Sequence, residues 1–457
     1  MSDWRFLTSD VRGTETTPRP CAADDAGGAA IAALLGGCAE ENAAAAKTTL
    51  KIAVVNESWY RHFYGDYIEA AFPEQPIELI VTEPDDRHPP TYEQYKRQLA
   101  ETQPDLILND RDFYRRLAED GLLSDLSARM QADGMDENRY FRGMLEGMKV
   151  GGQLYGLSPW FDASFLTYNE DLFRRYGIDP PRSGMTMAEV LALADEFSRA
   201  GSAKDGIYGF HANLQSMPYD HLFLFAFWEG IRMYNADTGK VTLNTPAWER
   251  IAGSIIEAYR SGTFYMQDIE GRVEDGRTYY DKEMMEAGEL FGQGKAAMTI
   301  DGYRADGASF KVGRVAGPVS SANPGHSATV TLHQFMGIAS SAAQADRAWK
   351  VIRFMMSDYV AKATVAVEED RLTSNRAYLE YRPDPTLSEV YELLPLPYVE
   401  TNQEAMDDYD WTAFRRPFED MIDAEMKKAI HGERTAAETM AAIQKEGQAL
   451  LDMARRE

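Results

Sequence analysis

From Leu50 onward the chain alternates short β-branched runs with amphipathic runs of helical period. That alternation predicts an α/β fold with mainly parallel sheets. Two further observations set its size and class. At 457 residues the chain can form two or three domains, each with a core of its own. Apolar residues make up 44% and aromatic residues 11%, which are globular values rather than those of a disordered acidic chain. The 47 Lys and Arg stand against 73 Asp and Glu, a formal net charge of −26. Such a surface repels phosphate backbones, so no nucleic-acid partner is expected. No apolar run approaches the ~18–20 residues that span a bilayer.

The elements follow in order. Residues 50–55 (LKIAVV) read as a first strand and residues 60–72 as an amphipathic helix. Residues 77–81 form a second strand. Thr91 and Gln94 make a capping box that opens a helix with Tyr92, Tyr95 and Leu99 on one face. Residues 105–108 are the third strand, and this βαβαβ run implies right-handed crossovers. Ligands of such sheets sit beyond the carboxyl ends of the strands, which points to the loops after Val55 and Leu108. Thr186 and Glu189 form a second capping box, before a stripe of Val190, Leu193, Ala194 and Phe197. Thr245-Pro246 caps a helix bearing Trp248, Ile251, Ile255 and Tyr259. Residues 222–228 (LFLFAFW) read as a buried helix, with Phe223, Phe225 and Phe227 in the core. Long helical patterns occupy residues 344–357 and 435–456.

Cys21 and Cys38 are the two cysteines, so the body of the chain holds no disulfide and no Cys-based metal spacing. Cys38 ends the apolar stretch AAIAALLGG and precedes the small, polar run AEENAAAA. Leu35-Gly-Gly-Cys38 resembles a bacterial lipobox, which marks Cys38 for lipidation and a position outside the cell membrane. The segment before it is long and mixes Arg5, Arg12 and Arg19 with Asp3, Asp10 and Glu15, unlike the short positive start of a secretory signal.

Several segments in the same order carry a family likeness. Gly152-Gln-Leu-Tyr-Gly-Leu-Ser158 is followed by Phe165-Leu-Thr-Tyr-Asn-Glu-Asp-Leu-Phe173 and Tyr176-Gly-Ile-Asp-Pro180. Phe291-Gly-Gln-Gly-Lys-Ala-Ala-Met298, Ala348-Trp-Lys-Val-Ile-Arg-Phe354 and Gly432-Glu-Arg-Thr-Ala-Ala-Glu438 follow. Together they resemble the extracellular solute-binding proteins, family 1 and maltose-binding-protein-like, of bacterial sugar ABC transporters. Two departures are Ser158 where a proline is usual, and a helix start at residues 181–189 without the usual tryptophan. The resemblance implies a two-lobed, type II periplasmic-binding fold with a ligand cleft between the lobes. Residues 1–38 are then a signal and lipobox segment and residues 39–48 a flexible linker. Residues 49–157 with 303–357 form one lobe, and 158–302 with 358–457 form the other with the C-terminal helices. The chain would cross near Ser158, Asp301 and residues 357–360.

The implied activity is capture of a carbohydrate, an oligosaccharide, for delivery to the membrane permease of an ABC transporter, by a monomer tethered through its lipid. No cofactor, metal or catalysis is expected. Sugars ask for carboxylates and amides on their hydroxyls and for aromatic rings on their C–H faces. Asn56, Glu57 and Trp59 lie just past the first strand, and Asp110 lies past the third. Trp160, Asp162, Asp301 and Tyr303 sit beside the expected crossings. Tyr219, Asp220, Trp228, Trp411 and Phe414 complete the candidate set. The competing role for each aromatic is packing, and for each carboxylate a helix cap. The seven histidines show no metal-ligand spacing and read as surface or loop residues. No nucleophile elbow, phosphate loop or HExxH is present. Two alternatives remain beside the sugar reading: a cationic solute such as a polyamine, suggested by the acidity, and a secreted glycan hydrolase with an unmarked carboxylate pair.

Overall fold

The computed structural model describes residues 48–83, 90–110, 113–211, 217–235, 238–266, 272–274, 277–279, 281, 283–284, 288–302, 308–367, 371–396 and 409–455. They divide into two compact units, one of residues 48–162 with Thr331–Asp384 and one of Ala163–Val330 with residues 385–455. The chain passes between them at 162/163, 330/331 and 384/385. Among the described residues no helix is long and apolar enough to cross a membrane.

In the N-terminal unit the sheet runs in the order Ile77–Val81, Leu50–Val54, Leu106–Asp110, Gln334–Ile338, Gly156–Leu157. Leu50–Val54 pairs in parallel with both neighbours, whereas Gln334–Ile338 is antiparallel to both of its own. Ile52, Ala53 and Val54 are fully buried, so this strand is covered on both faces, as the centre of a parallel sheet requires. The first helix begins at Glu57, three residues before the predicted start, because the Asn56 carboxamide caps it by accepting from the Trp59 N–H at 2.8 Å. It continues through a π turn at Arg61–Gly65 and the α-helix Asp66–Ala71. The capping box at Thr91 and Gln94 forms as predicted and opens Tyr92–Thr102.

In the C-terminal unit, Val312–Ala316, the part of the strand Trp160–Asn169 from Ala163 on, Ala296–Gly302 and Tyr208–His211 are ordered neighbours in a sheet. Trp160–Asn169 is antiparallel to both neighbours, and Ala296–Gly302 is parallel to Tyr208–His211. The helix Met187–Arg199 lies so close to that last strand that a Cβ on Gly209 would stand 2.1 Å from the Ala194 carbonyl oxygen. Only glycine fits there. Pro218–Trp228, Pro246–Ser261, Trp411–Ile430 and Ala436–Met453 pack into one core with Trp248, Ile255, Ile422, Met440 and Ile443 at its centre. The buried Glu425 carboxylate joins this helical layer by accepting from Lys428 at 2.5 Å and from Arg434. Two histidines correct the sequence reading. His211 and His221 are 1% and 0% exposed, because the strand and helix that carry them turn those positions inward.

Candidate functional site

Each unit gathers aromatic side chains named from the sequence. In the N-terminal unit the π turn adds one residue to a helical turn and so rotates the following side chains. Trp59, Phe63, Tyr64 and Tyr67 thereby come to one side. The Tyr64, Tyr67 and Phe63 rings lie 5.1, 6.0 and 6.3 Å from that of Trp160, and Trp59 meets Phe63 and Tyr64 at 5.4 and 5.3 Å. The Arg371 guanidinium covers Phe63 at 4.6 Å and Trp160 at 5.0 Å and donates to the His62 Nε2 at 3.2 Å, a cation–π cap. Trp160 is buried and its indole N–H meets no hydrogen-bond partner among the described residues. The Tyr64 hydroxyl donates to Gln334 at 3.0 Å, and burial pushes its pKa up, so it stays protonated. The exposed Asp162 pairs with His333 at 3.3 Å, which also meets the Thr331 hydroxyl at 2.9 Å. Glu57 is exposed and engaged by Arg61 at 3.0 Å.

The C-terminal unit holds a pocket open to solvent. Its described lining includes Tyr219, Phe223 and Phe227 from the helix Pro218–Trp228, and Trp411, Phe414 and Phe418 from Trp411–Ile430. Spacing of four places the first three rings on one stripe of their helix. They stack in sequence, Tyr219 to Phe223 at 6.1 Å and 22°, then Phe223 to Phe227 at 6.3 Å and 13°. Trp411 lies 4.8 Å from Tyr234 and edge-on to Phe414 at 5.5 Å, and Phe414 stacks on Phe418 at 4.6 Å. The charged residues in the lining are Arg232 and Arg415, and Arg415 donates to Glu419 at 2.8 Å. Asp410 caps the second helix by accepting from Ala413 at 3.0 Å, which fixes where Trp411 starts it.

Tyr219, Trp411 and Phe414 thus meet in one pocket, and Trp59 and Trp160 in one cluster of the other unit. The remaining candidates lie elsewhere. Trp228 is 2% exposed and faces the core, and Asp220 accepts from the Met217 N–H at 3.0 Å as a cap. The side chains of Asp110 and Asp301, and all of Tyr303 and Cys38, fall outside the described residues. The sequence reading assigned Phe223 and Phe227 to the core, yet both are half-buried and line the pocket. Their i, i+4, i+8 spacing from Tyr219 is the signal that marks them. Phe63 carries the same spacing, four residues after Trp59 and four before Tyr67, whereas Arg371 comes from a distant segment and carried no signal.

The model of the family described as bacterial extracellular solute-binding protein matches residues 66–362. The chain belongs to that family. Solute-binding proteins of this kind act outside the cytoplasm, and they bind rather than transform their substrates. Over 237 residues it is 26% identical to a "Putative binding protein" of Brucella abortus (strain 2308), and equally to one of Brucella suis biovar 1, covering 50% of this chain and 53% of theirs. It therefore spans about half the length of the curated relatives it matches. The fold is that of three solved proteins. An extracellular solute-binding protein family 1 member from Alicyclobacillus acidocaldarius has a TM-score of 0.59 at 13% identity, over 89% of this chain and 99% of that one. The sugar-binding protein MalE from Xanthomonas citri gives 0.58 at 15%, over 89% and 98%. A sugar transporter protein from Rhizobium etli gives 0.52 at 17%, over 88% and 99%. The chain is accordingly a two-lobed type II solute-binding protein.

Proposed function

We propose that this solute-binding protein captures a carbohydrate, an oligosaccharide in preference to a single sugar, and delivers it to the permease of an ABC transporter. Binding is noncovalent and ends in release of the same molecule. The observation that carries the reading is the pocket in which Tyr219, Trp411 and Phe414 converge, since aromatic faces are what the C–H surfaces of sugars pack against. Trp59, Trp160 and Asp162 of the N-terminal unit are a second group of candidate contacts. Arg232 and Arg415 speak against a cationic solute here, because no carboxylate stands among the described lining residues to meet it. A lipid on Cys38 would tether the monomer to the outer face of the membrane.

A thermal-shift screen of the purified protein against mono- and oligosaccharides, polyamines and amino acids tests the reading. A ligand at a hundredfold excess over Kd stabilises the folded state by about 2.7 kcal/mol, a rise of a few degrees in Tm. One saccharide series should give that rise, and Trp411→Ala should abolish it. A shift with polyamines alone would replace the solute class, and cleavage of a bound saccharide would replace binding by catalysis.

A further inference from the structure

The lining of the C-terminal pocket is less polar than a chain of hydroxyls calls for. Sugar rings carry a hydroxyl on almost every carbon, and each one buried needs a donor or acceptor. Here Phe223, Phe227, Ile231, Phe414 and Phe418 supply no polar atom at all. The polar side-chain groups of the described lining are the Tyr219 and Tyr234 hydroxyls, the Trp411 indole N–H and the Arg232 and Arg415 guanidiniums. The apolar part also has a definite shape. Tyr219, Phe223 and Phe227 form a strip of near-parallel rings with tilts of 22° and 13°. On the same helix Leu222, Phe225 and Ala226 are in the core, whereas Phe223 and Phe227 are left half-buried at the pocket wall. Large apolar side chains gathered in a pocket mark a ligand surface when their neighbours already fill the interior.

We propose that the captured solute is a glycoside bearing a flat, uncharged aromatic group, and that Phe223 and Phe227 hold this group while Tyr219 and Trp411 take the adjoining sugar. The inference rests on the reading that this pocket receives a saccharide, and it narrows the substrate class from sugars to aryl glycosides. An aromatic group placed against the strip makes offset stacks with two rings and leaves no hydroxyl unpaired.

The test is calorimetric titration of the full chain with matched methyl and phenyl glycosides of glucose, galactose, xylose, maltose and cellobiose. For the sugar series that binds, the phenyl member should bind at least tenfold tighter than the methyl member. Phe227→Leu keeps apolar volume but removes the ring, and should lower that ratio at least threefold; Phe223→Leu should do the same, each variant being checked for an intact melting transition. Equal affinity for phenyl and methyl members would overturn the aryl inference and leave the saccharide reading standing. A tenfold preference unchanged in both variants would overturn the assignment to this strip. Silence from every member of both series would overturn the saccharide reading and the inference with it.

Discussion

The ring of His221 lies flat on Phe264, 4.0 Å between centroids, with Nδ1 2.8 Å from the Tyr259 hydroxyl and Nε2 without a partner among the described residues. Burial holds its pKa down at about 3, and burial, partly offset by the Gly288 backbone, holds that of His211 at about 4. Both imidazoles are therefore neutral in the folded protein at pH values where the unfolded chain, with an ordinary histidine pKa near 6.5, takes up protons. The unfolded state binds more protons from about pH 6.5 down to about 4 for His211 and about 3 for His221, so the contribution to stability is complete above that window and is lost as pH falls through it. Melting temperatures measured from pH 7.5 to 4.5 should drop below pH 6.5, and His221→Phe should flatten the slope whatever it does to absolute stability. An unchanged slope would assign the acid sensitivity to other groups. Burial of this kind is what a single sequence hides. Trp228 and Trp411 both border an apolar helix, and composition cannot separate them. The C-terminal end of one helix turns Trp228 into the core, while the Asp410 cap starts the next helix with Trp411 at the pocket.

The helix Pro218–Trp228 is apolar all round, and a helix of that kind reads as wholly buried. Its existence was legible in the sequence, but its inward stripe was not: Leu222, Phe225 and Ala226 face the core, where the sequence reading places Phe223, Phe225 and Phe227. Nor was its second stripe, because a pocket wall and a core wall ask for the same residue types. Of the two long C-terminal helices, Ala436–Met453 was legible from its periodicity whereas Trp411–Ile430 was not read as a helix; the box at Thr435 and Glu438 opens the former, with the Glu438 carboxylate held below its ordinary pKa by the Thr435 N–H and hydroxyl. Their separation, however, is set by one residue. A Cβ at Gly447 would stand 2.7 Å from the Phe418 ring, and Phe418 lines the pocket. Gly447→Ala is therefore an overpacking change, expected to cost about 1–3 kcal/mol. Since the ring can yield only by moving, the substitution should also weaken ligand binding several-fold. Denaturant unfolding and titration of the same variant check both effects; full stability with wild-type affinity would show that the helices separate without disturbing Phe418.

A net charge of −26 spread over 457 residues opposes compaction of the chain as a whole. Raising salt from 0.01 to 0.15 M shortens the screening length from about 30 to 8 Å, which weakens repulsion between distant carboxylates more than contacts such as Lys96–Asp120 at 2.8 Å. The melting temperature should rise over that range. A fall would mean that exposed ion pairs outweigh the long-range repulsion. The α/β class and the first three parallel strands were readable because hydrophobic period and capping chemistry are local. What supplied the fourth strand was not, since Gln334–Ile338 alternates no differently from many loop-bounded apolar runs, and its partners stand far back in the chain.

That strand also sets a clock. Gln334–Ile338 lies between Leu106–Asp110 and Gly156–Leu157, inside a sheet whose other strands all leave the ribosome long before it. At roughly 5–20 residues per second, about ten to thirty-five seconds separate the emergence of Leu157 from that of Gln334. Throughout that interval Leu106–Asp110 presents an unpaired edge, the kind of surface on which nascent chains associate wrongly. The N-terminal unit is begun first and finished late. An export or chaperone system that keeps this chain unfolded through synthesis spares it that exposure.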